Sequence, residues 1–70
     1  MSNIVTTYII ITTTDSVYSV DGDMSPTQAV ANYSSMIPGL AAMQYTSTVE
    51  TRAEGEVRVL TFSQRSGQKG

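Results

Sequence analysis

Between Met24 and Leu40 the chain spells out one helix with both ends marked, and the segments on either side of it favour extended structure. Ser25 stands immediately before Pro26, and Gln28 follows two residues later. A serine hydroxyl at that position accepts a hydrogen bond from the backbone N–H three residues on, and the glutamine can reach back to the serine's own N–H. Proline at the first helical position gives up no hydrogen bond. Met24 is placed to staple against Ala29. Ala29, Val30, Tyr33 and Ile37 recur at helical spacing, while Thr27, Gln28, Asn32 and Ser35 suit solvent. Pro38-Gly39 predicts a stop at about Met36, for a helix of roughly ten to twelve residues. A helix that short does not persist alone in water, so a sheet must lie beneath it.

The flanking segments supply the sheet. Ile4 to Thr14 is almost wholly β-branched or aromatic, material that loses little by being held extended. Ser16 to Val20 reads as a second strand after a turn near Thr13–Asp15, and Asp21-Gly22 suits a turn with positive φ. After Pro38-Gly39, the run Leu40–Thr51 passes into a third strand, and Gly55 separates it from a fourth, EVRVLTF. The order is β-β-α-β-β. Two hairpins joined by one helix that covers a single sheet face make an α+β β-grasp fold, one helix on a four-stranded mixed sheet. A ferredoxin-like chain needs a second helix, for which no segment is left, and an all-β barrel would have to override the Ser25-Pro26 start. A chain of 70 residues makes one domain at most and buries only about 60% of the surface its unfolded form exposes. The domain is expected over residues 1–65, with 66–70 as a flexible tail of low structural propensity.

Two points stay open at this level. In the first strand Ile4, Thr6, Tyr8 and Ile10 form one set and Val5, Thr7, Ile9 and Ile11 the other, and both sets are apolar enough to be buried. Such a strand is expected at the centre of the sheet, with its second face on a partner or a small second layer. In the last strand Val57, Val59 and Thr61 oppose Arg58, Leu60 and Phe62. If Arg58 marks the solvent side, Leu60 and Phe62 form an apolar patch ringed by charge. With Arg65 they are then a candidate protein-binding surface. If Leu60 and Phe62 face the helix, Arg58 snorkels at the sheet edge; this buries more apolar area and is favoured. The period of two makes the choice all or nothing.

The residue inventory narrows the chemistry. The chain has no cysteine and no histidine, so disulfides, the usual nucleophilic triads and soft-metal sites have no constituents. No enzyme, cofactor or metal is expected. Asp21 and Asp23 flank a glycine as turn construction; they are too closely spaced for a glycosidase pair, and the oxygen ligands of a calcium loop do not follow them. Residues 1–64 hold two bases against six acids, a formal −4, and the last six residues hold Arg65 and Lys69, +2. A body of that sign repels a phosphate backbone, which argues against nucleic acid and mildly for a basic protein partner. Glu50, Glu54 and Glu56 read as a solvated hairpin rim or as part of an acidic docking face, with Arg52 between them to neutralise it. The apolar run near the start is too short to span a bilayer and has no basic segment before it, so a cytoplasmic, non-membrane protein is expected, monomer or homodimer. The routes to a dimer are the Ile4–Ile11 strand or the Leu60/Phe62 face.

The stretch MSPTQAVANYSSMIPGL followed by VRVLTFSQRSGQKG resembles the small prokaryotic ubiquitin-like family that includes protein C of the PRTRC gene system. Met24, Ser25, Pro26, Tyr33 and Pro38 carry the first part of the likeness, and Phe62, Gly67, Lys69 and Gly70 the second. The resemblance covers about residues 20–70. It implies a ubiquitin-like fold in a bacterium, plasmid or phage, and partners that look like E1 or JAB-peptidase components. It also implies Gly70 as the point of attachment or activation, with Gly67 and Lys69 beside it. The ending departs from ubiquitin in lacking a terminal Gly-Gly. The other functions weighed are a stand-alone interaction module, such as a phage-encoded inhibitor of a host protein, and a sulfur carrier through a C-terminal thiocarboxylate.

Overall fold

Eight extended residues of high β propensity, Ile4–Ile11, form strand β1, and it is paired on both sides. Strand β2 (Ser16–Asp21) returns antiparallel to it, through a Thr12–Asp15 turn in which Asp15 takes a left-handed conformation at φ 58°. Strand β4 (Gly55–Ser63) lies parallel on the other side, and β3 (Gln44–Arg52) pairs antiparallel with β4. The sheet order is β2-β1-β4-β3, and helix α1 (Pro26–Tyr33) crosses between the two hairpins. This is the ubiquitin-like β-grasp arrangement, one helix on a four-stranded mixed sheet. The computed structural model describes residues 3–64.

The helix start follows the sequence closely. Ser25 Oγ accepts from Gln28 N–H at 3.2 Å and Gln28 Oε1 accepts from Ser25 N–H at 3.4 Å, with Pro26 at the first helical position. Its end does not: α1 stops at Tyr33, not near Met36. The chain continues in turns from Ser34 to Met36, where the Tyr33 carbonyl accepts from both Met36 N–H at 3.0 Å and Ile37 N–H at 2.8 Å. A 3-10 turn over Leu40–Ala42 then brings the chain to β3, which therefore begins later than the run from Leu40 suggested.

The register settles both open faces. Ile9 stands opposite Leu60 and Ile11 opposite Phe62, and all four are buried with Ala29, Ile37 and Leu40 in one core beneath the helix. Tyr18, Val20, Met24, Val30, Tyr33 and Met43 pack around it. The exposed Leu60/Phe62 patch is thus withdrawn as a binding surface, and with it a dimer through that face. Edge-to-edge pairing along β1 has no free edge to use, because β1 has a neighbour on each side, which leaves its open face as the β1 route to a dimer. Arg58 is also corrected: it lies on the central strand β4, not at a sheet edge. It sits past the apolar core, where its guanidinium reaches the loop ahead of α1.

Thr7, within the apolar run, is the buried polar side chain of the sheet. Its hydroxyl donates to the Gly22 carbonyl at 2.7 Å and accepts from Met24 N–H at 2.9 Å. Both partners belong to the loop that leads into α1, so the threonine fastens the helix entry to the sheet.

Candidate functional site

With β4 between β1 and β3, residues on the face away from the helix line up in rows across all four strands. One row is Val17–Ile10–Thr61–Thr46, the next Ser19–Tyr8–Val59–Thr48, and the third Asp21–Thr6–Val57–Glu50. Among the described residues no second layer covers this face. Even so, Val57 is 0% exposed and Val59 7%.

The cover comes from long side chains laid flat. The Arg52 guanidinium carbon sits 4.8 Å from the centroid of the Tyr8 ring, so a β3 side chain crosses β4 to reach β1. Arg52 Nε and Nη2 donate to Glu50 Oε1 at 3.2 and 2.8 Å, and the Tyr8 hydroxyl donates to Glu54 Oε2 at 3.0 Å. Cation–π attraction and hydrogen bonding favour the same pose. The hydrogen bond to Glu54 holds the Tyr8 phenol above its ordinary pKa, because ionisation would forfeit the donor, and burial adds to it. Glu54 is held below the usual carboxylate range, first by its own backbone N–H and then by the Tyr8 hydroxyl. Arg52 is raised, chiefly by its hydrogen bond to Glu50. The acidic hairpin rim is therefore engaged internally at Glu50 and Glu54 instead of standing free.

The face has two ends of different character. One end carries the Tyr8–Arg52–Glu50–Glu54 network. The other is the row Val17, Ile10, Thr61 and Thr46, which contains no charged side chain, and Val17 is 63% exposed. A shallow depression lined by Thr13, Pro38, Gly39, Ala42, Met43 and Gln64 lies beyond this uncharged end, where β1 and β4 finish.

The other residues read from the sequence fall elsewhere. Arg58 Nε and Nη2 donate to the two Asp23 carboxylate oxygens at 2.6 and 3.4 Å, and Nη1 to Ser47 Oγ at 3.0 Å. The pair with Asp23 raises the Arg58 pKa. Asp23 is thus a tether between the helix-leading loop and β4, and Arg58 is committed inside the fold. Among the described residues no group of three or more acidic side chains is placed to hold a metal ion. None of the helices is long and apolar enough to cross a membrane, again among the described residues. Arg65, Gly67, Lys69 and Gly70, and with them the tail 66–70, lie outside the described residues. Reading the sequence missed the Tyr8–Arg52 contact and the Thr7 fastening. The signal for the first is the shared parity of Tyr8 and Val59, visible only once the β1–β4 register is known. No family model matches the chain, and no curated protein or solved structure is matched either.

Proposed function

We propose that this chain is a protein-interaction module whose docking face is the uncharged end of the open sheet surface. The observation that supports it is the row Val17–Ile10–Thr61–Thr46, apolar and hydroxyl side chains with Val17 largely exposed and no layer over them. A flat patch of this kind, with hydroxyl side chains among the apolar ones, suits a partner that offers apolar side chains at its centre. The test is quantitative capture from the cells that encode the protein, comparing wild type with Val17→Asp. An aspartate there breaks an apolar docking centre, and a partner that binds through it should be lost by about tenfold or more, while the melting temperature stays near wild type. Equal recovery of the same proteins by both forms would rule the face out.

A finer reading rests on the terminal sequence and the fold together: the chain is a modifier joined or activated through Gly70, as the likeness to the prokaryotic ubiquitin-like family implies. Incubation with an E1-like enzyme encoded beside it, ATP and a sulfide source whose sulfur can displace AMP from an acyl adenylate, followed by intact mass measurement, separates the possibilities. An adenylate or covalent adduct supports the modifier, an oxygen-to-sulfur exchange supports the sulfur carrier, and an unchanged mass leaves the stand-alone module, such as a phage-encoded inhibitor.

A further inference from the structure

Strand β3 is an outer strand of nine residues, and every one of them is exposed. One backbone edge of Gln44–Arg52 is paired with β4, and the other faces outward. Natural sheets protect such an edge with proline, lysine, a bulge or a short strand. Here Gln44–Arg52 contains no proline, lysine or glycine, its register against β4 is unbroken, and its charges are confined to Glu50 and Arg52, which bond each other. The helix layer also stops short of β3. An eight-residue helix is about 12 Å long and about 10 Å across, enough for roughly two strands at their spacing of about 4.8 Å. Tyr45 and Val49, on the helix side of β3, are left 52% and 50% exposed.

The strand is complementary to itself. We propose that two copies of this chain join antiparallel along their β3 edges, centred on Ser47, to make one continuous eight-stranded sheet. A two-fold axis normal to the sheet at Ser47 sets Tyr45 of each copy opposite Val49 of the other on the helix side. It sets Thr46 opposite Thr48 on the open side and Gln44 opposite Glu50 at the ends. Aromatic–β-branched and Thr–Thr cross-strand pairs are the favourable ones, and no like charges meet. The two exposed apolar residues of the strand thereby cover each other, and their seven-residue ladder satisfies the outward backbone groups. The opposite edge, β2, has six residues and offers no such register of its exposed side chains. The interface is small, under about 1,200 Å², so the dimer is concentration-dependent. Because the axis is normal to the sheet, both open faces lie on the same side of the dimer.

The chain has no cysteine, so a single introduced thiol is the linking group, and the Val49→Lys background controls for the Arg58 guanidinium beside position 47. In this register the two Ser47 Cα atoms stand about 4.5 to 5.5 Å apart, whichever type of antiparallel pair they form, a separation that a disulfide spans. Under mild oxidation Ser47→Cys should form the linked dimer about tenfold faster than Ser19→Cys on the β2 edge, because paired edges hold the thiols at high effective concentration. Sedimentation equilibrium of the unmodified chain should show mass rising toward a dimer by about 1 mM, as a small interface requires, and Val49→Lys should abolish both effects. A monomer throughout that range, or equal linking of the two cysteine variants, would overturn the proposal; capture of a foreign extended segment by the still-monomeric chain would assign the edge to that partner instead.

Discussion

The two faces of this sheet are built from nearly the same residue types and are buried in different ways. Under the helix, Ile9, Ile11, Leu60 and Phe62 touch a second layer of secondary structure. On the other side Val57 and Val59 are withdrawn from water by Tyr8, Arg52 and their carboxylate partners lying along the sheet. The first kind of burial is dry and holds the fold together. The second is a thin cover of exposed, salt-sensitive contacts that does not extend to the neighbouring row, in which Val17 and Thr46 are exposed and Ile10 and Thr61 half-buried. A domain this small has one helix to lay on its sheet, and the face it does not cover is the one we propose for docking.

The contrast can be broken most violently from the core side. Phe62→Ala removes the largest buried side chain, a truncation that costs about 3 to 5 kcal/mol in a domain whose whole stability is expected to be a few kcal/mol. Circular dichroism should find the variant largely unfolded. Thr7→Val keeps the shape but leaves the Gly22 carbonyl and Met24 N–H without their partner. Each unsatisfied buried group costs about 1 to 3 kcal/mol, so urea unfolding should show a clear loss. Ser25→Ala deletes one half of the capping box and should cost about 1 kcal/mol in the same assay. On the open side the effect is local: Arg52→Ala should hasten hydrogen exchange at Val57 with little change in the global unfolding midpoint.

The smallest expected effect is pH-dependent. Glu54 is held below the ordinary carboxylate range, so its ionised form is favoured in the folded state. Its contribution is complete above the unfolded pKa and is lost as the pH falls through the lowered folded value. Tyr8 is raised, so its contribution is present below the ordinary phenol range and lost as the pH climbs through the raised value. Glu54 is exposed and Tyr8 only half-buried, so salt should flatten both dependences. In thermal melts Glu54→Gln should weaken the acid dependence and, by removing the negative charge that opposes phenol ionisation while keeping an amide oxygen to accept, reduce the alkaline one in part.

How much of this could be read beforehand depended on the range of the interaction. The helix start was legible because Ser25, Pro26 and Gln28 act on backbone groups within one turn. The helix end falls about a turn before the expected stop, since Pro38 marks only where a helix must end and not where the regular ladder gives way to turns. The element order, and with it the fold class, followed from one helix set among four extended runs. The faces of β1 could not be assigned alone, because both sets are apolar; only pairing with β4 fixes them. A contact such as Arg52 on Tyr8 joins residues on strands that are not even adjacent, and no local pattern encodes it. The Asp23–Arg58 pair likewise spans 35 residues, so a residue read as turn chemistry proved to be a tether.

Leu60 and Thr61 are neighbours in sequence on opposite faces of β4, and comparing them in urea unfolding tests the two-face account most directly. Leu60→Ala should cost about 2 to 5 kcal/mol as a fully buried core truncation, and Thr61→Ala no more than about 1 kcal/mol, as for a half-buried β-branched residue on a strand. Equal losses at the two positions would contradict it.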